Sequence, residues 1–188
     1  MSIQLGFLAI LTEGPAYGSQ LHSEFLRRAA HRAHVNAGQV YSTLERLRKQ
    51  DLIARSGTTQ DGLPLFALTG AGEDRAHAWL TGGTPVAFTG WDDLQDHVLI
   101  AASLAGGDPH AIIAGYRHTL SHDLPRGIDV SPAAYVCAQS AHNYEREALE
   151  HWFDELSRML REHPTLLLTV REEERPRRGR PSNAEPNR

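Results

Sequence analysis

Gln39, Ser42, Thr43, Arg46 and Lys49 fall three or four residues apart, so that on a helix they share one face. Their chemistry suits a nucleic acid. Amides and hydroxyls both donate to and accept from base edges in a major groove, while arginine and lysine suit guanine or phosphate. The helix that must carry them is legible in the same segment: Val40, Leu44 and Leu47 make a narrow apolar stripe. Asn36 is a good N-cap, and Gln39 three residues on can complete a capping box, which predicts a helix from Ala37. Taken alone, such a face more often belongs to an ordinary surface helix. The residues that follow it favour DNA.

Two short apolar runs, Leu52 to Ser56 and Leu63 to Leu68, are separated by a polar loop from Gly57 to Gly62 that ends in Asp-Gly. This is the pattern of a hairpin. Thr58, Thr59 and Gln60 occupy its tip. Pro64 has no N–H for a ladder, so it belongs at the start of the second strand or on an edge. Thr69 then caps a helix running to about Leu80, in which Gly70 and Gly72 should weaken the first turn. Upstream, Ile3 to Leu11 and Leu21 to Ala30 form two shorter helices broken at Glu13 to Gly18. Helix, hairpin, helix is the order of a winged helix-turn-helix, and the whole fits within roughly eighty residues, an ordinary size for a small domain.

Four stretches in this order and spacing resemble the PadR family of bacterial transcriptional regulators. They are Leu5-Gly-Phe-Leu-Ala-Ile-Leu11, Gly14-Pro-Ala-Tyr-Gly18, Gly38-Gln-Val-Tyr-Ser-Thr-Leu-Glu-Arg-Leu47 and Phe66-Ala-Leu-Thr-Gly-Ala-Gly72. The resemblance spans the amino-terminal half. It implies DNA binding through the capped helix and adds Tyr17, Asn36 and Tyr41 to the interface. Two departures stand out: Ser19 where the family usually has a second aromatic, and a wing less basic than is common.

Residues 81–90 are rich in Gly, Thr and Pro and are expected to be a linker. Beyond it, Leu94, Val98, Ala101 and Leu104 are in helical register from Trp91 to Ala105. Asp108-Pro109 and Ser131-Pro132 each set an N-cap before a proline at the first helical position, opening helices to about His122 and about His163. The last carries a stripe of Ala138, Ala141, Ala148, Trp152, Leu156 and Met159, with Phe153 and Leu160 beside it. Roughly thirty residues rise about 45 Å, longer than so small a module needs for itself, so the helix calls for a partner. The alternative is a stripe that packs only within its own subunit. The resemblance implies the partner is a second copy, with Leu94, Val98, Leu149, Trp152, Leu156 and Met159 at the seam. It also implies an effector site in which Trp91, Trp152 and Phe153 stack on a planar ligand, against the plainer reading of simple packing.

The net charge of −4 is unevenly spread. From Arg27 to Arg55 there are seven basic residues against two acidic ones, a net of +5; from Trp91 to His163 five arginines face twelve carboxylates, a net of −7. A basic patch beside an acidic body would orient the molecule on DNA. A single cysteine, Cys137, excludes an internal disulfide. With no signal peptide and no bilayer-length apolar run, a cytoplasmic protein without membrane contact is expected. His118 and His122, with Cys137 and His142, make an incomplete ligand set lacking any zinc signature. No nucleophile elbow or phosphate loop appears, so no catalysis, metal or cofactor is expected. The segment 164–188 gains Arg and Pro, and Arg178-Gly-Arg-Pro181 resembles an AT-hook core whose Arg178 and Arg180 would enter a minor groove. A solvating tail is its alternative.

The sequence therefore predicts a mainly α protein. It has a winged helix-turn-helix (1–80), a linker (81–90), a helical dimerisation domain (91–163) and an Arg/Pro-rich tail (164–188). The expected function is a homodimeric, sequence-specific regulator binding double-stranded DNA, most simply a repressor relieved by a small-molecule effector. The rival is a winged-helix interaction module that does not bind DNA.

Overall fold

The structure is a computed structural model and describes residues 2–32, 34–83, 88–120 and 131–163. Arg178, Arg180 and the rest of the tail lie outside the described residues, as do His122 and part of the linker. In chain order the elements are α1 (Ser2–Leu11), β1 (Ala16–Tyr17), α2 (Gly18–Arg28), a 3-10 turn (Ala30–Arg32) and α3 (Ala37–Lys49). The hairpin β2 (Ile53–Thr58) and β3 (Pro64–Leu68) follows, then α4 (Gly70–Leu80), α5 (Trp91–Ala102), α6 (Pro109–Leu120) and α7 (Pro132–Glu162). The fold is mainly α with a small antiparallel sheet, as expected.

Five consecutive residues of α1, Phe7 to Leu11, are buried. A helix apolar all round must be covered all round, and α2, α4 and α5 cover it. Gly6 marks the tightest crossing, where a Cβ would lie 2.8 Å from the Phe25 ring and 2.9 Å from Ile100. One apolar core consequently runs from Phe7 through Leu94 and Val98 to Leu149, Phe153 and Leu156.

This changes the expected subunit seam. Leu94, Val98, Leu149 and Leu156, placed there by the sequence, are buried inside this one chain. Their stripes meet the nearest uncovered apolar surface, and that surface is intramolecular: α5 lies on α1, and α7 on α6. Met159 stays 43% exposed and Trp152 half-buried. Of the 31 residues of α7, only Leu149, Phe153 and Leu156 are buried. Ala138, Ala141 and Ala148 face solvent, as do Val136 and Tyr144.

The sheet has the order β1-β3-β2. Pro64 opens β3 opposite Thr58, the position its missing N–H allows. The bulge between Arg55 and Gly57 carries β2 two residues beyond the expected run, with Gly57 at φ 149°. β1 was not foreseen; Ala16 and Tyr17 pair with Phe66 and Leu65.

Where α4 begins, the Thr69 hydroxyl accepts from the Gly72 amide at 3.2 Å and donates to the Asp51 carbonyl at 2.6 Å. Gly72 is no weakness here, because a Cβ on it would sit 2.0 Å from the Leu52 carbonyl oxygen. The root of the wing rests directly on the α4 backbone. Gly72→Ala is expected to lower stability by about 1 to 3 kcal/mol through overpacking, measured as the shift in urea midpoint. An unchanged midpoint would show that the wing root can move aside.

His97 joins the two halves of the chain. Its ring stacks on Trp79 at 4.4 Å and 12°. Nε2 donates to the Trp79 carbonyl at 2.7 Å, which leaves Nδ1 to accept from the Tyr116 hydroxyl at 3.3 Å. The neutral ring is fully satisfied.

Candidate nucleic-acid interface

α3 begins as its sequence dictates. The Asn36 side chain accepts from the Gln39 amide at 3.0 Å, and the Gln39 side-chain oxygen accepts from the Asn36 amide at 3.1 Å, a complete capping box. That reciprocity limits Gln39. With its oxygen engaged, only its NH2 is left to present to a base. Ser42 donates to the Gln39 carbonyl at 3.0 Å, so its oxygen faces outward as an acceptor.

Thr43 is a correction. It was expected on the outward face, yet it is buried with Val40, Leu44 and Leu47, since its position falls on the same helical side as Val40 and Leu47. It lines a groove with Ile3 and Gln4 of α1, and Gln39, Arg46 and Gln50 run along that same flank. A second groove on the opposite flank is lined by Glu45, Arg48, Asp51 and Arg55 beside Ile53 of β2. The crest between the two flanks carries Gly38, Ser42, Glu45 and Lys49, all exposed, with Ser42 at the rim of the first groove and Glu45 at the rim of the second. Glu45 and Arg48 were not among the expected interface residues, although a glutamate and an arginine three residues apart signal a helical ion pair.

The basic patch also contracts. Arg27 and Arg28 both bind the buried Glu24, Arg27 at 2.6 Å. Arg32 is held from three sides, with Nη1 at 2.9 Å from Asp92 and Nη2 at 3.1 Å from Asp93 and 2.8 Å from Asp96. His31 adds a contact to Asp96 at 3.0 Å. Burial alone would lower the Arg32 pKa, but its hydrogen bonds to Asp96 and the surrounding carboxylates raise it above the ordinary value. These arginines brace the turn that precedes α3, and their charge is spent on neighbouring carboxylates. Arg46, Lys49 and Arg55 are exposed and form no ion pair among the described residues, so they offer positive charge near α3.

The remaining expected residues divide. Tyr41 is 54% exposed. Its ring lies against Gly18, where a Cβ would come within 2.8 Å, so a larger residue there would have to push the exposed ring aside. Tyr17 is buried on β1 and presents no open ring face. In the wing, Thr58 and Gln60 are exposed. Thr59 closes the loop instead, its hydroxyl accepting from the Leu63 amide at 3.1 Å. Among the aromatics proposed for an effector, Phe153 is fully buried in the core, packed near Tyr116 and under the Arg117 guanidinium. Burial for area explains it. Trp91 and Trp152 meet edge to face at 5.9 Å, and Trp91 is 36% exposed. Among the described residues no cluster of three or more His, Cys, Asp or Glu is placed to hold a metal ion, and no helix is long and apolar enough to cross a membrane.

Residues 7–78 match the profile of the Transcriptional regulator PadR-like family. No curated protein matches the chain. Among solved structures it is similar to the crystal structure of Bacillus subtilis PadR in complex with operator DNA. That similarity has 16% identity and a TM-score of 0.39, and covers 81% of this chain and 96% of that one. The winged helix described above thus coincides with a PadR-like domain.

Proposed function

We propose that this chain is a sequence-specific DNA-binding transcriptional regulator that works as a homodimer in the cytoplasm, most simply as a repressor relieved by a small-molecule effector. The observation that carries it is the capped helix α3, whose exposed Ser42, Arg46 and Lys49 stand beside a hairpin wing within a PadR-like domain. A second copy is supported by the open stretch of α7 bearing Val136 and Tyr144, at 65% and 72% exposure. Two reading helices related by a two-fold axis double the base contacts of one. The exposed Trp91 beside Trp152 supports stacking of a planar effector. The Arg178 and Arg180 tail adds a minor-groove contact on the basis of its sequence alone.

One observation favours the rival, an interaction module without DNA binding: four of the seven basic residues counted from Arg27 to Arg55 are paired with carboxylates of the same chain. A binding titration of the full chain against its own upstream DNA and against random duplex, repeated across salt concentrations, separates the two. Lys49→Ala should weaken binding to both duplexes and reduce the salt slope by about 1. Arg46→Ala should cost about 1 to 3 kcal/mol on the specific duplex alone if it reaches guanine. Two chains per specific duplex are expected. Absence of salt-dependent binding to either duplex selects the interaction module.

A further inference from the structure

We infer that Glu45, held in position by Arg48, reads cytosine: its carboxylate accepts a hydrogen bond from the exocyclic N4 amine of one C·G pair in each half-site. The inference rests on the DNA-binding reading above and names a base contact within it.

Placement comes first. Val40, Thr43, Leu44 and Leu47 turn inward, so the crest that would lie deepest in a groove carries Gly38, Ser42, Glu45 and Lys49. Of these, Glu45 is the one group that only accepts hydrogen bonds. A carboxylate on that crest faces phosphates on both strands, and left alone it would oppose binding. It is not left alone. Arg48 Nε and Nη2 reach its two oxygens at 3.0 and 2.9 Å. This fork cancels the charge, fixes the plane of the carboxylate and leaves a lone pair on each oxygen free to meet a donor. The same hydrogen bonds hold the Glu45 carboxyl below the usual range, so it stays ionised.

Base chemistry supplies the choice. Guanine presents N7 and O6, and thymine presents O4; all are acceptors that repel a carboxylate. Adenine offers its N6 amine beside the N7 acceptor, so attraction and repulsion compete. Cytosine offers the N4 amine without an adjacent acceptor on the groove edge. Elsewhere on a protein surface an exposed pair three residues apart would contribute little. On the crest of a reading helix it disfavours guanine and thymine and ranks cytosine above adenine.

The test is a selection from randomised duplexes with the full-length wild type, Glu45→Ala and Glu45→Gln, followed by titrations on single-base variants of the selected site. Glu45 is exposed, so the variants should match the wild type in circular dichroism and melting. Wild type should enrich one cytosine at symmetric positions of the two half-sites. Thymine or N4-methylcytosine there should weaken its binding about tenfold. Glu45→Ala should accept any base at that position and change less than about twofold across the four, whereas Glu45→Gln, which keeps an acceptor, should retain part of the preference. An alanine variant that enriches the same cytosine overturns the inference and leaves the regulator reading intact. A wild type that enriches no sequence removes the regulator reading, and the cytosine contact with it.

Discussion

Arg32→Met is expected to cost the fold about 3 to 5 kcal/mol, the loss typical of leaving a buried charge without its partner. Arg32 reaches Asp96 through Nε at 3.0 Å and Nη2 at 2.8 Å, and the Asp96 side chain has no solvent exposure. Without the guanidinium, that carboxylate loses three hydrogen bonds, and His31 beside it is a counter-ion only when protonated. Asp96→Asn should cost less, because Asp92 and Asp93 still receive the arginine. The double variant Arg32→Met with Asp96→Leu should recover most of the loss, since removing both charges removes the unpaired ion as well as the pair. Chemical denaturation of wild type, Arg32→Met, Asp96→Leu and the double variant completes the cycle. A single-variant loss under about 1 kcal/mol would mean that water enters and screens the cluster as it does at a surface. The consequence reaches the reading helix: the 3-10 turn that contains Arg32 ends four residues before the Asn36 cap, and the clamp ties that turn to α5. If α3 binds DNA as proposed, a folded variant with a loosened clamp should bind it less tightly, because the turn before the Asn36 cap is no longer held to α5.

That clamp also shows where sequence reading stops. The capping box of α3 was legible because Asn36 and Gln39 are three residues apart and the interaction is local. The wing was legible because turn residues and strand periodicity are local too. Arg32 and Asp96 are 64 residues apart, and a running charge count registered them as parts of a basic patch and an acidic body instead of as a bonded pair. The same count hid Arg28, although Glu24 stands one helical turn before it and could have warned of the pairing. Periodicity likewise identified Leu94 and Val98 as an apolar stripe without naming what the stripe meets, and a stripe fits a neighbouring helix of its own chain as well as a second subunit. Thr43 was assigned by its hydroxyl when its register with Val40 and Leu47 placed it inside. The two residues of β1 are too few to show any alternation, and their strand identity comes entirely from pairing with β3. Glu45 was passed over because a search for basic and amide groups looks past a carboxylate.

Acid should destabilise this fold through His97. Burial pushes the imidazole down to about 4 from an ordinary 6.5, against the weaker opposing effect of its hydrogen bond to the Trp79 carbonyl. The unfolded chain therefore takes up a proton at this residue before the folded one does. Above pH 6.5 the ring is neutral in both states and the contribution is whole; as pH falls through 6.5 toward about 4, the unfolded state gains and stability drops. A difference of that size corresponds to about 3 kcal/mol in full, with about 2 kcal/mol already lost between roughly pH 7 and pH 5. That upper part of the window matters for the measurement, because ordinary carboxylates titrate mainly below it. Protonation would also put a second N–H on the ring, so Nδ1 could no longer accept from the Tyr116 hydroxyl, itself raised in pKa by the same burial. His97→Gln keeps a neutral side chain at this seam and cannot titrate. It should be less stable than wild type near neutrality through loss of the stack on Trp79, yet its stability should be nearly flat from about pH 7 to pH 5. Urea midpoints of both proteins across that range decide the matter: parallel curves would place the acid sensitivity elsewhere, and convergence of the two toward pH 5 would assign it to the ring that joins α4 to α5 and α6.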